Sequence, residues 1–211
     1  MMSYSVRMNM YLPIYIYSYG RWRKGLDLIL ASSSPRRKEL LEMLNIPFQV
    51  KVSYADETYQ DGMEPHEIVM ELARIKSTVI AETNRDSVVI GADTIVVMDG
   101  DILGKPKNKD EAISMLNRLS GNVHQVYTGV ALIRGQDSIL FYEKTDVEFW
   151  PLKKEEIEQY VLTGEPFDKA GSYGIQGFGS LLVKRIEGDY FSVVGLPVSR
   201  LKRELDKLIH P

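Results

Sequence analysis

The chain has 211 residues, 44% of them hydrophobic and 26% charged, so it is long enough to bury a core of its own and lies far from the disordered and fibrous classes. Its net charge of −3 excludes a protein whose whole surface follows a nucleic-acid backbone. The absence of cysteine excludes a disulfide framework, a thiolate nucleophile and a cysteine zinc site, and fits a reducing, cytoplasmic setting. Residues 1–25 are rich in Met and Tyr and differ in composition from the rest of the chain. Their apolar run from Met10 to Ile16 is broken by Pro13 and is shorter than the roughly 20 residues of a membrane span. No small-residue cleavage site comes after it, so the segment reads as a non-secretory extension, disordered or arising from an upstream start codon, and 26–211 as one domain.

Leu26 to Ser33 reads as a buried strand, followed by a helix with Ser34 as N-cap, Pro35 at the first position and Leu40, Leu41 and Leu44 as its apolar stripe. Phe48 to Ser53 alternates like a half-buried strand and leads into the acidic stretch ADETYQDG. Apolar residues from Ile68 to Ile80 keep helical spacing between Pro65 and Glu82. Ser87 to Asp93 reads as a second buried strand, continued by Ile95 to Val97. Asp99-Gly100 then signals a tight hairpin, with Ile102-Leu103 returning. A helix is predicted over Lys109 to Leu119, then two long antiparallel strands over Val123 to Ile133 and Ser138 to Phe149, then a helix over Lys153 to Leu162. After a glycine-rich stretch from Gly164 to Gly179, LLVKRI is strand-like and Pro197 to Ile209 forms a closing helix. Helices alternating with strands and hairpins predict a mixed, twisted α/β sheet in two lobes around a cleft.

Four stretches carry candidate chemistry. In SSSPRRKE, hydroxyls and guanidiniums flank a helix start, where free N–H groups and the helix dipole favour phosphate; an ordinary capped helix with solvated arginines is the equal alternative. In GADTIVVMDGDILGKP, Asp93 beside Thr94 at the lip of the sheet is a carboxylate that needs a partner or a metal, and Lys105 is a cation on a stiff turn suited to phosphate. GEPFDKAGSYGIQGFG holds Asp168, Lys169 and Gln176 among glycines that permit close backbone approach to a ligand, against the alternative of a structural loop. Asp56-Glu57 is weak alone, but paired with Asp93 it supplies oxygen ligands for a divalent cation. His124 has no metal-spaced partner and reads as structural. A G-x-S-x-G elbow and a Walker A sequence are both absent.

The blocks LILASSSPRRKELL, ADET, VIGADTIVVMDGDILGKP, LSGNVHQVYTGVAL, GEPFDKAGSYGIQGFG and VVGLP, in this order from Leu28 to Leu208, closely resemble the Maf family. The resemblance implies a fold similar to inosine triphosphate pyrophosphatases, a nucleotide cleft, and hydrolysis of the α–β phosphoanhydride of nucleoside triphosphates assisted by Mg²⁺ or Mn²⁺. It places substrate binding on Ser34, Arg36, Arg37, Lys105, Asp168, Lys169 and Gln176, metal binding on Glu57 and Asp93, and catalysis on Asp93, Glu57 and Lys105. Arg36 and Gln176 resemble the branch preferring dTTP and UTP. The other branch, which takes 7-methyl-GTP, carries an aromatic and an acidic residue at those positions. The expected partner is therefore a nucleoside triphosphate, without nucleic-acid polymer or membrane, and the resemblance also implies homodimerisation. The family is further linked to septum formation and cell-division arrest, so a nucleotide-sensing regulator without turnover is the rival reading.

Overall fold

The computed structural model describes residues 26–209, and the expectations for residues 1–25 lie outside the described residues. Leu28–Leu30 forms the fully buried strand β1, and Pro35–Glu42 forms helix α1. Ser34 caps that helix by accepting the Arg37 N–H, and Pro35 occupies the first turn, where a missing N–H costs nothing. The half-buried strand expected at Phe48–Ser53 shrinks to Gln49–Val50 (β2), and both residues are exposed. Among the described residues β2 pairs only with β1, and of the alternating apolar residues Phe48 packs against the core while Val50 and Val52 stay exposed.

Helix α2 spans Pro65–Ala81, and strand β3 runs for 11 residues over Val88–Met98. Asp99 and Gly100 both adopt positive φ, the geometry of a two-residue hairpin turn into Asp101–Leu103 (β4). Lys109–Leu119 (α3) is capped by Asn108, whose side chain accepts the Glu111 N–H. Val123–Arg134 (β5) and Asp137–Phe149 (β6) form an unbroken antiparallel ladder, followed by Lys154–Leu162 (α4). The glycine-rich stretch makes three short 3₁₀ turns, Glu165–Asp168, Ala170–Ser172 and Gly177–Leu182, the last of which takes Leu181 and Leu182 out of the expected strand. Val183–Glu187 is β7, and Val198–Ile209 is the final helix, α6. Between them lies a short helix that the sequence pattern does not predict, Tyr190–Val194 (α5).

The strands join one mixed sheet in the order β2-β1-β3-β5-β6-β7, with β4 paired to β3. One edge of β3 is shared: β1 takes Val88 to Ile90 and β4 takes Val96 to Met98. Between those two partners, Gly91 to Ile95 pair only on the side of β5, which leaves a gap in the sheet. Helix α2 covers one face closely, because Gly91 and Gly129 carry no side chain where an added Cβ would stand 2.2 and 2.3 Å from the helix backbone. The opposite face carries two cores. Leu30, Ile90 and Leu132 pack with Leu41 of α1 and Leu201 and Leu205 of α6, while Val96, Met98 and Val126 pack with Leu116 of α3 and Ile157 of α4. Burial of each such side chain contributes about 1.5–3 kcal/mol. The two lobes thus share one sheet, and the space between them lies over the gap in β3. No helix among the described residues is long and apolar enough to cross a membrane.

Candidate active site

A cleft of about 480 Å³ occupies this space. All nine residues to which the family resemblance assigns a role line it: Ser34, Arg36, Arg37, Glu57, Asp93, Lys105, Asp168, Lys169 and Gln176. The placement comes from topology, since ligands of α/β sheets lie beyond the carboxyl ends of parallel strands, here β1 with the Ser32 to Ser34 turn and the α1 N-terminus.

The two arginines of that turn differ in character. Arg36 reaches across the mouth of the cleft to Asp168, 2.9 Å away, so one ion pair ties the two lobes. Arg37 is half-buried, donating from Nε to the Gly195 carbonyl (2.9 Å) and from Nη2 to Thr94 Oγ1 (3.2 Å). Burial lowers its pKa from the usual guanidinium value, opposed by the nearby charge of Asp93. Among the described residues it makes no ion pair, which leaves a half-buried guanidinium at the cleft wall whose fork geometry suits phosphate oxygens.

Asp93 lies in the middle of β3 and not at a strand end, and the missing strand partner beside it opens its carboxylate to the cleft. Lys76 of α2 approaches to 2.5 Å from Asp93 Oδ1 and 3.0 Å from Glu57 Oε2, so both carboxylates converge on one cation position. Lys76 is not among the residues singled out in the sequence, although a signal is present there. It follows Leu72 by four and Ala73 by three, where the buried stripe of α2 would otherwise continue with an apolar residue. Asp56, the neighbour of Glu57 in the acidic stretch, does not line the cleft.

The second lobe supplies Lys105, which follows β4, and the 3₁₀ turns. Gly171 donates its N–H to the Gly104 carbonyl (3.0 Å), tying the glycine-rich stretch to the Lys105 turn. Lys169 donates to Asp168 Oδ1 and to the Glu165 carbonyl, each at 2.6 Å. Burial raises the Asp168 pKa, but the hydrogen bonds from Lys169 and Arg36 outweigh it and hold the carboxyl below its ordinary value. The glycines here serve packing as well as approach: a Cβ on Gly179 would meet the Gly174 carbonyl at 2.2 Å and the Tyr160 hydroxyl at 2.7 Å. Glu165 accepts the N–H groups of Phe178 and Gly179 and so fixes the loop that presents the exposed Gln176. His124 sits in the core, with Nε2 2.7 Å from the Tyr173 hydroxyl and its ring edge-on to Phe149. Burial pushes its pKa down to about 4.

Among the described residues no three His, Cys, Asp or Glu side chains gather as a complete metal cage. Two convergent carboxylates nevertheless match a Mg²⁺-type ion, which takes one or two carboxylates and completes its shell with water and phosphate oxygens.

The chain is similar to several known proteins. A dTTP/UTP pyrophosphatase of Bacillus cereus (strain ATCC 14579) is 58% identical over 178 residues, covering 84% of this chain and 93% of the relative. One of Bacillus cytotoxicus is 58% identical over 177 residues, with the same shares covered. Among solved structures, a HAM1 protein from Coxiella burnetii aligns with a TM-score of 0.49 at 14% identity, covering 86% of this chain and 99% of that one. The Ham1 protein of Staphylococcus aureus aligns with a TM-score of 0.47 at 16% identity, covering 72% and 77%. The family model for Maf-like protein matches residues 27–208, and the chain belongs to that family.

Proposed function

We propose that the chain hydrolyses nucleoside triphosphates, preferring dTTP and UTP, to the monophosphate and pyrophosphate. The observation that carries this reading is the meeting in one cleft of four cations, Arg36, Arg37, Lys105 and Lys169, with the carboxylates of Glu57 and Asp93. Relatives 58% identical over most of the chain bear the name of that activity.

In this mechanism the cations hold the phosphate oxygens and neutralise the charge that develops as the α–β bridge breaks. Asp93 accepts the proton of the attacking water, the water oxygen bonds to the α-phosphorus, and pyrophosphate leaves with the bridging oxygen. Lys76 keeps the Asp93 carboxylate oriented. Glu57 and Asp93 would hold a Mg²⁺ or Mn²⁺ ion, which supplies further charge neutralisation on the phosphates when bound. A regulator without turnover has no need of the water-activating carboxylate that Asp93 supplies, and no observation favours that rival.

Gln176 presents an amide that both donates and accepts, matching the N3–H and carbonyls of a uracil or thymine ring. A base whose edge does not match this amide forgoes those hydrogen bonds, at about 0.5–1.5 kcal/mol each. Pyrophosphate release by the purified protein with Mn²⁺ and dTTP, UTP, dGTP, ATP or 7-methyl-GTP tests the reading. dTTP and UTP are expected to show the highest kcat/KM, and Gln176→Glu to erode the preference. Equal values for dTTP and 7-methyl-GTP would overturn the base assignment, and no release from any nucleotide would overturn the enzymatic one.

A further inference from the structure

We infer that Thr128, which lies outside the cleft, positions the Arg37 guanidinium through Thr94. Thr94 and Thr128 stand directly opposite each other on β3 and β5, and their hydroxyl oxygens are 2.8 Å apart. The Thr128 hydroxyl also lies 2.7 Å from the Ser192 carbonyl, which can only accept. A hydroxyl carries one proton. Donation by Thr128 to Ser192 therefore requires Thr94 to donate to Thr128, and this turns the lone pairs of Thr94 toward Arg37. The chain runs one way, from the Arg37 Nη2–H to Thr94, to Thr128 and to the Ser192 carbonyl. Hydrogen bonds aligned in this manner polarise one another in a buried setting.

Both fixed points of the arginine rest on one short element. Ser192 belongs to α5, and the Gly195 carbonyl that accepts the Arg37 Nε–H lies at the end of the same helix. That helix is itself anchored, because the Ser192 hydroxyl lies 2.9 Å from the hydroxyl of the buried Thr145 and 2.7 Å from the Asp189 carbonyl. Thr128, Thr145 and Ser192 are all fully buried, so water does not replace a lost partner there. Removing the Thr128 hydroxyl leaves the Thr94 hydroxyl without its acceptor and the Ser192 carbonyl without its donor, and frees Thr94 to turn its proton toward Arg37.

The effect on turnover rests on the proposed role of Arg37 at phosphate, whereas the position of Arg37 is readable without it. Wild type, Thr128→Val and Thr128→Ser are compared by the solvent exchange of the Arg37 Nε–H resonance, assigned by its loss in Arg37→Lys, and by KM and kcat for dTTP. In Thr128→Val, exchange and KM are expected to rise about tenfold, the order for one lost hydrogen bond to a charged group. Thr128→Ser keeps the hydroxyl and is expected to stay within about threefold of wild type on both readings. Unchanged exchange in a folded Thr128→Val protein would overturn the inference, as would equal damage from serine and valine. Should the valine variant fail to fold, Thr128→Ala carries the same two readings. Absence of wild-type turnover would overturn the proposed function, while the exchange measurement would still decide the role of Thr128.

Discussion

Two residues show how position changes what a side chain does. Asp93 is recognisable in the sequence because a carboxylate after an apolar run needs a partner, but its partner Lys76 is 17 positions away on another element and no spacing rule connects them. Asp93→Asn keeps the size and removes the charge. The expected outcome is loss of pyrophosphate release with the fold intact by circular dichroism, and turnover within about threefold of wild type would refute the role. His124 reads as structural in the sequence, and its burial makes a sharper prediction possible. Its folded pKa of about 4 lies below the ordinary value of 6.5, so between these the unfolded chain binds the proton first and stability falls as pH drops. Stability is fully present above about pH 6.5 and is expected to decline by roughly 3 kcal/mol by pH 4 through this residue. Urea midpoints at pH 7 and pH 4.5 measure it, and His124→Gln should weaken the pH dependence. An undiminished slope in that variant would assign the acid sensitivity to other groups.

At the scale of elements, the long helices and strands are legible because their periodicity extends over two turns or more, as in α2, α3, β5 and β6. The short ones are not. Helix α5 has five residues, too few to establish a period, and around β2 only Phe48 of the alternating apolar residues packs against the core. The glycines of GAD and YTG are legible as glycines but not in purpose, since what they face is α2, distant in sequence. Gly129→Ala places a methyl group 2.3 Å from the Val69 backbone, which no rotamer relieves. The helix must move, and the expected cost is about 3 kcal/mol, at the upper end for overpacking. Because Lys76 rides on the same helix, the variant should also lose more activity than a core substitution of equal cost in α3. Comparing Gly129→Ala with Leu116→Ala by thermal unfolding and by turnover separates the two effects, and equal activity losses at equal destabilisation would show that α2 does not set the site.

For the whole molecule, the sequence discloses the class of fold and the cluster of blocks but not the strand order, because pairings such as Arg36 with Asp168 span 132 residues. Every residue placed in the site lies between Ser34 and Gln176, and the Arg37 anchor ends at Gly195. Deleting residues 1–24 is therefore expected to leave pyrophosphate release unchanged, and a folded but inactive truncated protein would assign that segment to the site or to an active assembly. The rims of the sheet bear on assembly as well. Among the described residues the edges are β2, two residues long, β4, three residues long, and β7, whose Lys184, Arg185 and Glu187 are exposed and charged. Short or charged rims are poor templates for a neighbouring strand and guard against aggregation through backbone pairing. An association of two copies is therefore expected to use side-chain surfaces, and not a sheet continued through these edges from one molecule into the next.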